Sequence, residues 1–259
     1  MKKEPAEILK KYAHALRDAK DLDVLMERIG DANVVMLGEA SHGTHEYYTW
    51  RAQISKRLIE EKGFTLITVE GDWPDCAEIN KWIKGLSPIE NIHDVLKNFT
   101  RWPTWMWGNW EIAAFASWLK DYNQNKASDE KVGFYGMDVY SLWDSLKIIV
   151  DYLEKEDPES AKLAQNAWKC FEPYKERDNY ASVFRSEKKG CKDEVLRLLN
   201  EVRTNAYSYN TQPEAGLNTE INALVVANAE NYYKTMALFS DESWNVRDRH
   251  MMQTLDTLK

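Results

Sequence analysis

No stretch of the sequence nears the roughly 20 uninterrupted apolar residues of a membrane-spanning helix, so no such span is expected. The opening "MKKEPAEILKKYAHAL" has basic residues but no apolar core, and it does not read as a signal peptide. Basic residues are also short: 34 against 42 acidic, a net charge of −8, with no basic run. A phosphate-backbone partner is therefore not expected. Cys76, Cys170 and Cys191 are odd in number and widely spaced, which fits a reduced, cytoplasmic protein and lacks any zinc-type spacing. There is no phosphate-binding P-loop and no dinucleotide fingerprint. "GEASHG" is not a nucleophile elbow, because Ser41 stands one place too far from Gly38. "HEYYT" lacks the second His of a zinc helix.

What is present is an ordinary globular composition, 44% hydrophobic and 29% charged over 259 residues, long enough for a sizeable core. Residues 5–30 have helical spacing at Ile8, Leu9, Tyr12, Ala13 and Leu16. "NVVMLGE" (33–39), "FTLITVEG" (64–71) and "KVGFYGMD" (131–138) are strand-like. Between the first two runs lies the helix "THEYYTWRAQISKRLIEEKG", capped by Thr44 or Ser41 and closed by Gly63. Residues 75–84 and 109–122 form the next expected helices, with the Trp-rich "RWPTWMWGNW" between them. Strands alternating with helices imply a parallel sheet. After Asp138 the pattern is helical over 141–156, 160–172, 188–210, 215–240 and 245–259. The expected fold is α/β, a parallel-type sheet flanked by helices with a large helical portion. Residues 1–140 form its α/β core and 141–259 a helical region continuing the same domain. The C-terminal pattern stops without a cap, so the fold is expected to be incomplete, with a further strand beyond Lys259.

Each strand-like run ends in an acid: Glu39, Glu70 and Asp138. In open parallel sheets ligands bind at that edge. Acids there also cap helices, but three of them together with His42 and His45 favour a site. His42 lies in the loop between Ser41 and Gly43, and an imidazole held by Glu39 or Glu70 suits proton transfer near neutral pH. His45 reads as a bystander. Arg51 shares the inward stripe of Ile54 and Leu58 and should reach back to Glu39 or Glu70. There it would separate two acids or bind a developing oxyanion. Glu39, Glu70 and Asp138 could instead hold a hard metal, which would make a metal-dependent hydrolase of polar esters. Trp102, Trp105, Trp107 and Trp110 could wall an apolar cleft or pack a helical lid.

"LGEASHGTHEYYTWRAQISKRLIEEKGF", then "VEGDW", "GMDVYS" and "VRDRHM", resemble the erythromycin esterase family, including its bacillus members labelled succinoglycan biosynthesis proteins. The resemblance implies an α/β core with a large helical portion and a deep cleft. It implies hydrolysis of a macrolide lactone, the chemistry of macrolide resistance, without a covalent intermediate. A His activates water, supported by acids and an Arg. The family pattern falls on Glu39, His42, Arg51 and Glu70, with Asp138, Trp73 and Trp107 as substrate-binding candidates. The expected partner is a small-molecule ester or lactone, with no nucleic acid, membrane, metal or cofactor. Family members are longer and carry an H-N-x-H-like element soon after the "RDRHM"-like stretch. This chain ends before it, and His250 does not replace it. A non-catalytic ligand-binding remnant is the remaining alternative.

Overall fold

The computed structural model describes residues 5–174, 177–187, 189–209, 212–239 and 241–259. Its elements run α1 (Pro5–Tyr12), α2 (Asp23–Ile29), α3 (His45–Lys62), β1 (Leu66–Asp72), α4 (Trp73–Ile83), α5 (Ile92–Leu96), α6 (Trp110–Asn123) and β2 (Gly133–Asp138). Then follow α7 (Leu142–Glu156), α8 (Pro158–Phe171), α9 (Arg177–Glu187), α10 (Lys192–Asn205), α11 (Ala215–Ala237) and α12 (Glu242–Leu258). The chain divides into two compact units, Met1–Thr65 with Phe99–Val132 and Leu66–Asn98 with Gly133–Lys259.

In the first unit the helix expected over 5–30 is broken. α1 stops at Tyr12, and Asp18 starts a new turn by accepting the Lys20 N–H at 2.8 Å, a local bond that competes with continued helix. α3 packs against α6. Arg57 ties α3 to the preceding segment, donating to Asp23 at 2.7 Å and to the Ala19 carbonyl at 3.0 Å. Gly63 ends α3 at a φ of 72°, a left-handed cap that favours glycine.

Residues 34–39 form no strand, contrary to the expectation for "NVVMLGE". A strand exists only by sharing a hydrogen-bonded ladder, and among the described residues the sheet has two strands, β1 and β2. The run is also poorly buried, with Met36 92% and Val34 49% exposed. Glu39 therefore ends a loop segment, whereas Glu70 lies within β1 and Asp138 ends β2.

In the second unit β1 and β2 pair in parallel, Leu66 opposite Gly133 and Val69 opposite Gly136, with an irregularity between Val69 and Asp72. The backbones approach closely there. A Cβ on Gly136 would lie 2.4 Å from the Gly71 carbonyl oxygen, so only glycine fits. α4 packs on β2, and α7, α8, α10 and α11 form the helical core. α7 buries Leu142, Leu146, Ile149 and Leu153 along one stripe. α11 is buried on most of its surface, which explains its small, apolar composition around Ala223–Ala229. Cys170 and Cys191 form a disulfide between the end of α8 and the residue before α10. This corrects the reading of fully reduced cysteines, because α9 folds back and brings together residues 21 apart in sequence. No described helix is long and apolar enough to cross a membrane.

Candidate functional site

The loop before α3 is shaped by Gly43. Its φ is 80°, and a Cβ there would meet the Trp105 ring at 2.8 Å. Thr44 occupies the N-cap of α3, but its hydroxyl bonds Ser41 Oγ at 2.8 Å rather than the helix backbone. This turn aims His42 back at Glu39, and His42 Nδ1 bonds Glu39 Oε1. The other carboxylate oxygen lies 2.8 Å from Arg51 Nη2 in an ion pair, with the N–H not aligned for a hydrogen bond. Arg51 thus reaches from two turns inside α3 toward its N-terminus, as helical side chains lean. Its guanidinium lies 4.8 Å from the Tyr48 ring and 5.8 Å from the Trp107 ring, so a partly dry aromatic sleeve holds the ion pair. Burial, and then the Glu39 charge, push the Tyr48 phenol above its ordinary pKa.

A carboxylate at Nδ1 fixes the imidazole with its proton on that nitrogen, leaving the Nε2 lone pair for a ligand. His42 is 43% exposed and lines a cavity of about 340 Å³. The other lining residues are Gly43, His45, Tyr48, Trp105, Asn109 and Glu111. His45 also has a carboxylate partner, Glu111, on its Nδ1. That hydrogen bond holds the Glu111 carboxyl below its usual pKa. Asn109 caps α6 by accepting the Ile112 N–H at 2.9 Å and donates to the Trp105 and Met106 carbonyls. It thereby fixes both Trp105 and the first turn carrying Glu111.

The second unit holds a different charged centre. Arg247 from α12 donates through Nε and Nη2 to both oxygens of Asp138, at 2.9 and 2.7 Å, and through Nη2 to Glu70 at 2.5 Å. Asp138 is nearly fully buried, while Glu70 keeps 42% of its side chain exposed. His250, one turn beyond Arg247, is 1% exposed. Its Nε2 donates to the Asp138 carbonyl at 3.2 Å, and its Nδ1 accepts from Asn228 at 3.0 Å. Burial lowers its pKa to about 4, so it is neutral at pH 7. Trp73 is buried, its indole donating to Asn218 at 2.9 Å and its ring stacked on Tyr135.

The structure thus joins His42, Glu39 and Arg51, with Trp107 against Arg51, and separately joins Glu70 and Asp138 on Arg247. Arg247 was absent from the sequence-based candidates. Its signal was legible, since Arg247 shares the inward stripe of His250 and Thr254, as Arg51 does with Ile54 and Leu58. The pairing of His45 with Glu111, 66 residues apart, has no sequence signal. Of the four tryptophans, Trp105 walls the cavity, Trp107 braces Arg51, and Trp102 and Trp110 are largely exposed. Among the described residues no three His, Cys, Asp or Glu side chains gather as a metal ion would need.

A model of the erythromycin esterase family matches residues 59–259, including Glu70, Asp138 and Arg247. The chain belongs to the erythromycin esterase family. It is 31% identical over 162 residues to erythromycin esterase type II of Escherichia coli, covering 61% of this chain and 36% of that protein. It is 21% identical over 188 residues to the YbfO protein of Bacillus subtilis (strain 168), covering 72% of this chain and 40% of that protein. The chain therefore spans less than half the length of either relative. Among solved structures it shares the fold of a Bacillus cereus protein, at a TM-score of 0.76 and 23% identity over 97% of this chain and 62% of that one. A succinoglycan biosynthesis protein gives 0.72 at 22% identity, covering 99% and 63%. A mutant of the erythromycin esterase EreC in its open conformation gives 0.67 at 16% identity, covering 94% and 61%.

Proposed function

We propose that this protein is a hydrolase of the erythromycin esterase type, cleaving a carboxylic ester or macrolide lactone with water activated at His42. The observation that carries the reading is the His42–Glu39 pair on the rim of a cavity sized for a small molecule. Glu39 holds Nδ1–H and stabilises the imidazolium that forms, so Nε2 accepts a proton from water as the water oxygen attacks the ester carbonyl. Arg51 fixes Glu39 by an ion pair and so holds the carboxylate in place against His42. The tetrahedral intermediate then collapses, breaking the bond to the alkoxy oxygen. No side-chain nucleophile is needed, and the sequence has no nucleophile elbow. Glu70, which the family pattern also names, is held by Arg247 in the second unit, and no step is assigned to it.

The test is hydrolysis by the full chain of p-nitrophenyl butyrate and of a 14-membered macrolide lactone. His42→Ala should lower the rate by roughly 10²–10⁴-fold, the usual range for loss of a general base. Unchanged rates on every ester that the unaltered protein cleaves would remove His42 from the mechanism.

A further inference from the structure

We infer that His45, anchored by Glu111, is the general acid of the same reaction and delivers the proton that the departing alcohol needs. This rests on the hydrolase reading above and adds the second half of its proton traffic. Direct attack by water moves two protons at two places. One leaves the attacking water. The other must reach the alkoxy oxygen as its bond to carbon breaks, because a free alkoxide of an ordinary alcohol is a poor leaving group. One imidazole can serve both steps in turn, but a second acid on the same cavity lets the leaving group be protonated without the first ring having to turn from one oxygen to the other.

His45 meets that description. It lines the cavity that His42 lines. Its Nδ1 is bonded to a carboxylate, as at His42, and its Nε2 has only a long contact, 3.4 Å, to the Thr49 hydroxyl, which a substrate oxygen can replace. Its side chain is 67% exposed, so it is reachable. The Gly43 turn lies between the two imidazoles and lets both face one space, with Trp105 packed where a side chain on residue 43 would stand. Glu111 is not a chance neighbour. It comes from α6, which packs against α3, and the start of α6 is fixed by the Asn109 cap. With Nδ1 held by that carboxylate, the ring presents its Nε2–H as the proton to be delivered when the carbon–oxygen bond breaks. The balance closes. Water gives one proton to His42 and its oxygen to the acyl carbon, the alkoxide takes one proton from His45, and His42 returns a proton to solvent as His45 regains one.

The experiment compares two butyrate esters in the full chain. p-Nitrophenyl butyrate releases a phenolate that needs no proton, and ethyl butyrate releases an alkoxide that does. Variants are His45→Asn, Glu111→Gln and His42→Ala, each checked for folding by circular dichroism. His45→Asn should lose about 10²-fold on ethyl butyrate and at least tenfold less on the nitrophenyl ester. Glu111→Gln should shift the ratio of the two rates in the same direction, and it serves alone if His45→Asn does not fold. His42→Ala should lose heavily on both esters. Equal losses on the two esters in His45→Asn and Glu111→Gln, or no loss on ethyl butyrate, overturn the assignment while leaving His42 in place. If His42→Ala keeps both rates, the hydrolase mechanism itself falls, whatever His45 does. A full chain that cleaves neither ester overturns both.

Discussion

Each unit contains an arginine, a carboxylate and a histidine close together, yet the two groups do opposite things. Around Arg51 the histidine is open, with one nitrogen tied to Glu39 and the side chain 43% exposed on a cavity. Around Arg247 the histidine is sealed, with both nitrogens spent on Asn228 and the Asp138 carbonyl. Residue types alone would not separate them. Burial and hydrogen-bond saturation do. A solvent-reachable histidine on a cavity can move a proton, and one sealed on every side can only hold parts of a fold together.

The comparison is broken most severely at Arg247. Arg247→Met leaves the Asp138 carboxylate buried without its bidentate partner, and such losses cost about 3–5 kcal/mol. Denaturant unfolding should show this as a lower midpoint, and an unchanged midpoint would mean that the second centre is not structural. Next comes acid. The His250 pKa falls from 6.5 to about 4 on folding. The unfolded chain therefore binds this proton more readily, so stability is complete above pH 6.5 and declines as pH drops toward 4. The full difference is about 3 kcal/mol at 1.36 kcal/mol per unit. Melting curves between pH 7 and 4 should fall by less in His250→Gln than in the unaltered chain, and parallel curves would refute the assignment. The smallest stability effect is expected at the first centre. Arg51→Met should cost roughly 1–3 kcal/mol, because Glu39 keeps His42 as a partner. The same change should lower hydrolysis, since Glu39 loses the group that fixes it. A larger stability loss than in Arg247→Met would reverse the proposed order.

Local features were legible in the sequence. The bounds of α3, its closing Gly63 and the backward reach of Arg51 to Glu39 follow from helical spacing within one short segment. β1 and β2 also fall near their expected places. What failed depends on distant partners. The run before Glu39 has strand composition but no ladder, and composition cannot report whether a neighbouring strand is present. The Cys170–Cys191 bond needs α9 to fold back. Arg247 finds Asp138 across 109 residues, and His45 finds Glu111 across 66. His45, read from sequence as a bystander, gains its candidate role only when α6 packs on α3.

The most direct test of the contrast is one paired measurement, ester hydrolysis and thermal unfolding on His42→Ala and His250→Gln in the full chain. His42→Ala should lose roughly 10²–10⁴-fold in rate with its melting temperature nearly unchanged. His250→Gln should melt about 4 °C lower or more, and still hydrolyse at the unaltered rate below its transition. If His250→Gln loses the reaction while staying folded, or His42→Ala melts early and keeps the reaction, the division into one chemical and one structural centre is wrong.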